Sequence, residues 1–304
     1  MLLEWIGMGL DDARLVDRSD AGKLALVGPQ AGEFLDGQVT NEVGSLEIGS
    51  GVYAALLTPK GKMLGDLRVL RVSENELLLI CERVALQAIF DTIRRALLGW
   101  DAELQKRTIE MGLLSVIGDA DQLVPGLGAA EHSSKQFNEG YAVRTDVGID
   151  FVVPAERTET TRAELLVDGI AEIAADDAEI VRVEQGRPRY GVDLDDSVIP
   201  QEAGLNKRAV SFTKGCYVGQ ETVARMHYKG KPNRHLRGLR LSEPLAPGTT
   251  LRSGDKEVGK ISSAVVSPRL GPIGLALVRR EVAPGDEVQA GAATATVVEL
   301  PFTR

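Results

Sequence analysis

Apolar and polar positions follow two different periods in the first third of the chain. Residues 23–27 and 51–58 are apolar runs of strand length, and residues 63–72 and 76–82 are two more such runs on either side of a Ser-Glu-Asn turn, which predicts a hairpin. Residues 84–98 change to a spacing of three and four between apolar positions, which predicts a helix. Strands, a hairpin and a helix in this order indicate an α+β unit.

The middle third continues the mixed pattern. Residues 111–117, 141–145 and 149–153 predict strands, and residues 158–170 predict a helix. A further helix is predicted at residues 177–185 because acidic residues precede it and a glycine follows it.

Two predicted helix ends carry polar residues with a functional alternative. Gln38, Thr40 and Asn41 follow a short predicted helix at residues 30–35, where polar side chains can either cap the helix or point into a cleft. Glu184 lies at the C-terminal end of its helix, next to the negative end of the helix dipole. Such a carboxylate is either a solvated surface residue or a functional one.

The last seventy residues have a different sequence pattern, in which short β-rich runs alternate with Gly/Pro turns. This pattern predicts a small β-barrel. The runs are residues 236–241, 249–251, 258–266, 273–278, 287–288 and 294–298.

Length and composition limit the class of protein. A chain of 304 residues with 43% hydrophobic and 26% charged residues fits a globular protein of two or three domains. Its two cysteines form no disulfide framework, residues 1–12 lack the basic start of a signal peptide, and no apolar run is long enough to span a bilayer. We therefore expect a cytoplasmic protein without a membrane partner.

One segment reverses the charge of the protein. The whole chain has a formal charge of −9, which argues against bulk nucleic-acid binding, yet residues 203–240 hold nine Lys or Arg and one acid, Glu221. This basic island can be a solvated face, an RNA patch or a groove for a small polyanion. Because few aromatic residues interrupt it, a small molecule with several carboxylates fits better than a long nucleic acid.

The island contains a lone cysteine, Cys216, between two glycines and near Lys214. Nearby positive charge favours the reactive thiolate, so the thiol can be functional, and the alternative is a small buried cysteine in a turn. A catalytic pair with His227 lacks a third, orienting residue, and the histidines show no zinc-type spacing, so no metal site is predicted. A cluster bound jointly with another protein, with this thiol as one ligand, stays open.

The cysteine segment resembles a known family signature. Its residues are similar to the K-G-C-[FY]-x-G-Q-E motif of YgfZ-type folate-binding proteins, which are relatives of the glycine cleavage T-protein, an aminomethyltransferase. Residues 27–41, 58–68 and 182–205 also resemble blocks of that family. The matching motif residues are Lys214, Gly215, Cys216, Tyr217, Gly219, Gln220 and Glu221.

The resemblance implies a three-domain ring around a folate cleft, with the second domain inserted in the first and a C-terminal barrel. It gives a GcvT-like region at residues 1–234, an inserted subdomain at about 51–107, and the barrel at 235–304. It also implies that tetrahydrofolate or a derivative is bound. The pterin would be held by Glu184, whose carboxylate can accept two parallel hydrogen bonds.

Further folate contacts are predicted around the cleft. The polar residues at the end of the first helix are candidates for the cofactor itself, and two arginines are candidates for its glutamate tail. The complete predicted set is Glu184, Gln38, Thr40, Asn41, Arg225 and Arg234.

The sequence departs from the T-proteins in one place. They carry paired aspartates in the second block, where this chain has Gly65 and Asp66, and they lack the cysteine motif. Both differences favour the YgfZ type, which implies folate-dependent support of iron–sulfur cluster assembly or repair, iron–sulfur client or assembly proteins as partners, and an indirect link to tRNA modification.

Two other functions stay open. The first is a tetrahydrofolate-dependent aminomethyltransferase or demethylase in which Asp66 positions or deprotonates an amine. The second is an RNA-binding module that uses the basic island.

Overall fold

The computed structural model describes residues 13–303. The chain divides into two compact units, and each is described by itself. The larger unit contains residues 13–175 and 207–220, and the smaller unit contains residues 176–206 and 221–303. The prediction that the N-terminus is no signal peptide concerns residues 1–12, which lie outside the described residues.

Strands outnumber helices among the described residues. The strands are β1 (Arg14–Asp17), β2 (Gly22–Val27), β3 (Gly51–Leu57), β4 (Met63–Ser73), β5 (Glu76–Cys81), β6 (Glu103–Lys106), β7 (Met111–Ile117), β8 (Ser134–Phe137), β9 (Gly140–Arg144), β10 (Gly148–Pro154), β11 (Ala171–Glu172), β12 (Arg234–Leu241), β13 (Thr250–Ser253), β14 (Lys256–Ser267), β15 (Gly271–Arg279), β16 (Glu287–Ala290) and β17 (Ala293–Val298). The helices are α1 (Ala31–Asp36), α2 (Leu86–Ala96), α3 (Thr158–Val167), α4 (Ala175–Glu184), α5 (Asn206–Ala209) and α6 (Gln220–Lys229).

The larger unit contains two sheets. One has five strands in the order β3-β4-β5-β2-β6, and the other has six in the order β11-β1-β7-β10-β9-β8. Their facing surfaces share an apolar cluster that includes Leu70 and Leu78 from the first sheet and Leu113, Val143 and Val152 from the second. Alternation along each strand directs these side chains to one face, so the two sheets bury a common core.

Helix α2 covers the other face of the five-stranded sheet. Its spacing of apolar positions buries Ile89 and Ile93, as the sequence predicts. The predicted inserted subdomain, residues 51–107, supplies four strands of this sheet, and β2 from outside that segment joins them.

The smaller unit contains a closed barrel in the order β12-β15-β14-β13-β16-β17. Inward-facing residues of its strands, among them Leu239, Leu251, Ile261 and Val297, form one buried cluster. The predicted α+β class with a C-terminal barrel is therefore confirmed. The domain boundaries at 1–234, 51–107 and 235–304 stay a prediction. No helix within residues 13–303 has the length and apolar character needed to cross a membrane.

A lysine is buried inside the larger unit. Lys23 on β2 has no exposed surface, and its ammonium donates to the carbonyl oxygen of Ser19 at 2.8 Å. Burial lowers the pKa of this amine from 10.5 to about 8, because desolvation outweighs the attraction of Asp20 and Asp17. The charged amine is therefore a stability cost near neutral pH.

Replacing Lys23 with methionine is expected to stabilise the protein at pH 7. The folded pKa lies below the unfolded value, so the unfolded chain binds more protons between about pH 8 and 10.5, and wild-type stability rises with pH across that window. Removing the amine should raise the free energy of unfolding at pH 7 by on the order of 1–3 kcal/mol, and the gain should shrink toward pH 10.5. Urea denaturation at pH 7 and pH 10 measures it. The exposed Lys60→Met is the control, and a loss of stability at pH 7 would contradict the expectation.

Candidate functional site

Asp66 lies on β4 with its side chain on the face of the five-stranded sheet that is opposite α2. Only 5% of the residue is exposed. The hydroxyl of Tyr53 on the neighbouring β3 donates a hydrogen bond to its Oδ2 at 2.5 Å. The strand register pairs Asp66 with Ala55, two residues after Tyr53, so Tyr53 and Asp66 share this face.

The surroundings of Asp66 favour the protonated form of its carboxyl. Burial raises the pKa of this carboxyl from 3.8 to about 6, and the nearby Glu82 adds to the rise, while the hydrogen bond from Tyr53 and the cation of Arg208 partly oppose it. Burial and the same carboxyl also raise the pKa of Tyr53. Asp66 can therefore gain and lose a proton near neutral pH, as an acid–base group requires, while Tyr53 stays protonated.

Arg208 lies beside this pair. Its guanidinium carbon is 5.3 Å from the centroid of the Tyr53 ring, within range of a cation–π contact. The same guanidinium forms ion pairs with Glu131 and, at 3.4 Å, with Asp146.

Gly65 shows why this chain lacks a paired aspartate. The residue faces α2, and a Cβ atom added to it would lie 2.9 Å from both Ala85 Cβ and Ile89 Cδ1. An aspartate at this position would force a carboxylate into apolar contacts without a partner. Only Asp66, on the opposite face, is placed for chemistry.

Lys214 of the cysteine motif is a buried anchor. Its ammonium has no exposed surface and donates to four acceptors at the end of α1 and in the loop after it. These are the carbonyl and carboxylate oxygens of Asp36 at 2.6 and 3.0 Å, and the carbonyls of Val39 and Asn41 at 3.1 and 2.7 Å. Desolvation lowers the pKa of Lys214, and Asp36 partly opposes this. The lysine thus ties the motif to the loop after α1.

Gly219 ties the motif to a second block. Its φ of +85° lies in the left-handed region, and an added Cβ would be 2.7 Å from the carbonyl oxygen of Thr58. The turn between β3 and β4 therefore lies directly against the motif. Three segments that are far apart in sequence, residues 36–41, 58–61 and 214–219, meet here within the larger unit.

The polar residues after α1 have structural partners. The Thr40 hydroxyl donates to the carbonyl of Ala209 and accepts from the backbone N–H of Ala55, both at short distance. The Asn41 amide donates to the carbonyls of Tyr53 and Arg208 at 2.9 and 3.2 Å. These bonds fasten the loop to β3 and to α5.

Gln38, Thr40 and Asn41 differ in whether their polar groups remain available to a ligand. Gln38 is half-buried beyond the end of α1, whereas Thr40 and Asn41 use their polar groups within the protein. The prediction that Gln38, Thr40 and Asn41 contact a folate stays a prediction, and the observed bonds give the last two a structural role.

Cys216 is exposed, whereas Cys81 is buried in β5, where burial raises its pKa to about 12. The neighbouring Tyr217 is buried, with its ring centroid 5.6 Å from the Lys214 ammonium. Gln220 closes the motif loop through a hydrogen bond to the carbonyl of Gly215 at 3.2 Å. The thiol is therefore presented at the surface by a loop whose other side chains hold it in place.

Glu184 belongs to the smaller unit, at the end of α4. It is 8% exposed, and its two carboxylate oxygens accept hydrogen bonds from Ser267 and from Arg269. Glu184 is therefore buried, and the alternative that it is a solvated surface residue is wrong. Each oxygen retains acceptor capacity, because a carboxylate offers about four lone-pair positions.

The basic island divides into paired and unpaired cations. Partners occupy Arg208 and Lys214 in the larger unit, and in the smaller unit Arg234 binds Glu202 at 3.1 Å, Arg237 binds Glu299 and Arg240 binds a carbonyl. The exposed members are Lys207 in the larger unit, and Arg225, Lys229 and Lys231 in the smaller unit. Of the two arginines predicted to hold a folate tail, Arg225 is exposed and Arg234 is already paired with a carboxylate.

Most of the chain matches two domains of known protein families. Residues 10–153 match the GCVT N-terminal domain, and residues 234–303 match the glycine cleavage T-protein C-terminal barrel domain. The chain belongs to the GcvT-like family. The finer assignment to the YgfZ type is not established by these matches.

Known members of the GcvT-like family match along nearly the whole chain. The aminomethyltransferases of Listeria monocytogenes and Saccharopolyspora erythraea are 27% and 29% identical, and each match covers 96% of this chain and 86% or 87% of the relative. The crystal structure of the glycine cleavage system aminomethyltransferase T from Bartonella henselae superposes with a TM-score of 0.87 at 24% identity, covering 96% of this chain and 87% of that one. This likeness confirms the GcvT-like fold.

Several residues around Asp66 were not predicted from the sequence. Tyr53 lies in an apolar strand, and only the register of β3 against β4 places it beside Asp66. Glu131 and Asp146 lie in loops that carry no motif, and Arg208 was one of nine cations in the island. A signal for Tyr53 was available: it is the one aromatic residue in the strand that precedes the Asp66 block.

Proposed function

We propose that this protein binds a tetrahydrofolate and transfers a one-carbon unit on it, in the manner of an aminomethyltransferase. The observation that carries the proposal is the Asp66 carboxyl, which is buried, hydrogen-bonded by Tyr53 and has a pKa raised to about 6. The names of the relatives from Listeria monocytogenes and Saccharopolyspora erythraea support the transferase better than the iron–sulfur role that the cysteine motif implies.

The chemistry of Asp66 fits this reaction class. When bound, tetrahydrofolate supplies the amine nitrogens that carry the one-carbon unit. A new carbon–nitrogen bond at such an amine requires loss of a proton, which a carboxylate can accept and later return to a leaving amine. Tyr53 fixes the direction of the Asp66 carboxyl, and the pKa of about 6 lets both protonation states be populated near neutral pH.

The test of this function is a product assay. The protein is incubated anaerobically with tetrahydrofolate and a panel of aminomethyl and methyl donors, and the folates are separated by mass. A one-carbon folate that forms with wild type and not with Asp66→Asn is expected. Failure to form any such product across the panel would count against transfer.

Glu184 supports the binding half of the proposal. Its carboxylate oxygens can accept hydrogen bonds from a pterin ring N–H and amine in addition to the bonds from Ser267 and Arg269. A bidentate arrangement of this kind is among the stronger charge-assisted hydrogen bonds.

Replacing Glu184 with alanine is expected to weaken tetrahydrofolate binding. Two pterin donors would lose their acceptor, which costs on the order of 1–3 kcal/mol, or about 5- to 150-fold in Kd. Anaerobic calorimetric titration measures this, with Glu184→Gln as the variant that keeps the shape and one acceptor. The exposed Glu243→Ala serves as control. Equal affinities for wild type and Glu184→Ala would remove Glu184 from the site.

A second function is favoured by one observation, the exposed Cys216. A folate-dependent factor for iron–sulfur cluster assembly or repair would use a surface thiol toward a client or assembly protein, with an indirect effect on tRNA modification. Lys214 and Gly219 hold the loop that presents the thiol. A rigidly presented surface thiol has no evident part in aminomethyl transfer through Asp66.

Complementation of a deletion strain distinguishes the second function. Iron–sulfur enzyme activities are measured in strains that carry wild type, Cys216→Ala or the neighbouring surface control Thr213→Ala. We expect loss of rescue with the cysteine variant alone if the thiol serves this role. Full rescue by Cys216→Ala would exclude the thiol from it.

A further inference from the structure

Two carboxylates flank the guanidinium that lies beside Tyr53. Arg208 Nη2 donates to Glu131 Oε1 and lies 3.4 Å from Asp146 Oδ2. Glu131 comes from the loop between β7 and β8, and Asp146 from the turn between β9 and β10. Both loops belong to the six-stranded sheet, whereas Tyr53 and Asp66 belong to the five-stranded sheet.

The guanidinium is separated from the Asp66 carboxyl by one aromatic ring. Arg208 is 5.3 Å from the centroid of the Tyr53 ring, and the hydroxyl of that ring donates to Asp66 at 2.5 Å. A free cation this close would favour the ionised carboxylate and make Asp66 a weaker base. The side chains of Arg208, Glu131 and Asp146 are each between 23% and 33% exposed, so solvent screens their charges only in part.

The other titratable groups near Tyr53 and Asp66 do not neutralise Arg208 in place of Glu131 and Asp146. His132, next to Glu131, is buried, and its pKa falls to about 3 because of burial and of Arg68 and Arg208, so it carries no charge near neutral pH. Arg68 is paired with Asp150. The remaining titratable groups near Asp66 are Tyr53 and Glu82, together with Cys81 on the α2 face of the sheet.

We propose that Glu131 and Asp146 are positioning residues that neutralise Arg208 and thereby keep Asp66 able to hold and release a proton near neutral pH. The two carboxylates offset the charge of the guanidinium, so Arg208 lowers the pKa of Asp66 less than an unpaired cation at the same place would. The importance of this for turnover rests on the proposed function, whereas its effect on the Asp66 proton does not.

The test follows the Asp66 proton without folate. The full-length protein is labelled with [4-¹³C]aspartate, the Asp66 signal is assigned by its absence in Asp66→Asn, and its chemical shift is titrated by NMR. In Glu131→Gln/Asp146→Asn the titration midpoint should fall by about 0.5–1 pH unit. In Glu131→Asp, which keeps the carboxylate, it should stay near the wild-type value.

A matched control separates this effect from a change of net charge. Glu139→Gln removes one carboxylate from the same sheet, in the turn between β8 and β9, where Glu139 pairs with Arg157 and not with Arg208, and should leave the midpoint unchanged. A midpoint that is unchanged or higher in the double variant would overturn the proposal. Should the double variant not fold, each single variant is expected to show a smaller fall, and no shift in either has the same consequence.

The pH dependence of the transfer rate distinguishes a failure of this electrostatic proposal from a failure of the proposed function. The acidic limb of the transfer rate should move down by the same amount as the NMR midpoint. If the midpoint moves and the limb does not, Asp66 is not the acid–base group of the reaction, and the electrostatic role of Glu131 and Asp146 still stands.

Discussion

Asp66→Asn is expected to reduce one-carbon transfer by about 10²- to 10⁴-fold, the usual contribution of a positioned acid–base group. In the wild type, the rate should rise with pH through about 6, where Asp66 loses its proton, and the variant should lack that limb. Asparagine keeps the size of the side chain and an oxygen that can accept from Tyr53. A loss of activity therefore reports the missing acid–base function rather than a lost contact.

The same variant is expected to be no less stable than wild type. The folded pKa of Asp66 lies above the unfolded value of 3.8, so the folded protein binds more protons between about pH 4 and pH 6, and its stability falls as pH rises through that window. Removing the charge should regain on the order of 1–3 kcal/mol at pH 7. Urea denaturation at pH 4 and pH 7 checks this.

The exposed Asp101→Asn is the matched control for both measurements, because it removes the same charge from the surface of the larger unit. Retention of full transfer activity by Asp66→Asn would exclude Asp66 as the acid–base group. A large loss of stability at pH 7 would instead mean that the carboxylate has a structural role.

Lys214→Met is expected to destabilise the protein by about 2–4 kcal/mol, because it removes the buried ammonium of an ion pair whose carboxylate, on Asp36, is only partly exposed to solvent. Three carbonyl oxygens and one carboxylate oxygen, at the end of α1 and in the loop after it, would lose their donor together. Denaturation in urea gives the free energy of unfolding. Amide hydrogen exchange should show faster opening of residues 36–41 than of the β4–β5 hairpin.

Lys207→Met is the control for this prediction, since Lys207 is exposed in the same segment of the chain. It should change stability by less than about 0.5 kcal/mol. If Lys214→Met changed the free energy of unfolding by no more than the control does, the four hydrogen bonds of Lys214 would contribute little to stability. The motif lysine would then be available for another role.

Most regular elements could be predicted from the sequence. The hairpin of β4 and β5 and the helix α2 carry clear apolar periods, and β7 was predicted with the bounds that the structure shows. Most of the elements that were missed are polar, and β1 has an apolar run of only two residues, Leu15 and Val16. Helix α6 buries only Val223, so no apolar stripe marks it, and β6 and β8 contain few apolar residues.

The site was harder to predict than the fold, because it depends on strand register and on long-range contacts. The resemblance pointed to Asp66, but the partner Tyr53 follows only from the pairing of β3 with β4. The sequence places Lys214 beside Cys216 as a source of positive charge, whereas its ammonium points to the end of α1 and the loop after it. Charge patterns along a sequence do not show which cations are already paired.

The anchoring of Lys214 also has a consequence for the order of folding. The acceptors for its ammonium lie 173 to 178 residues earlier in the chain. Closing so long a loop costs entropy before the contacts repay it, so these contacts form late. A ribosome that has reached residue 206 has already made Tyr53 and Asp66, but neither Arg208 nor Lys214. The larger unit therefore acquires its acid–base environment only after residue 208 has been made, when both of its sheets have already been translated.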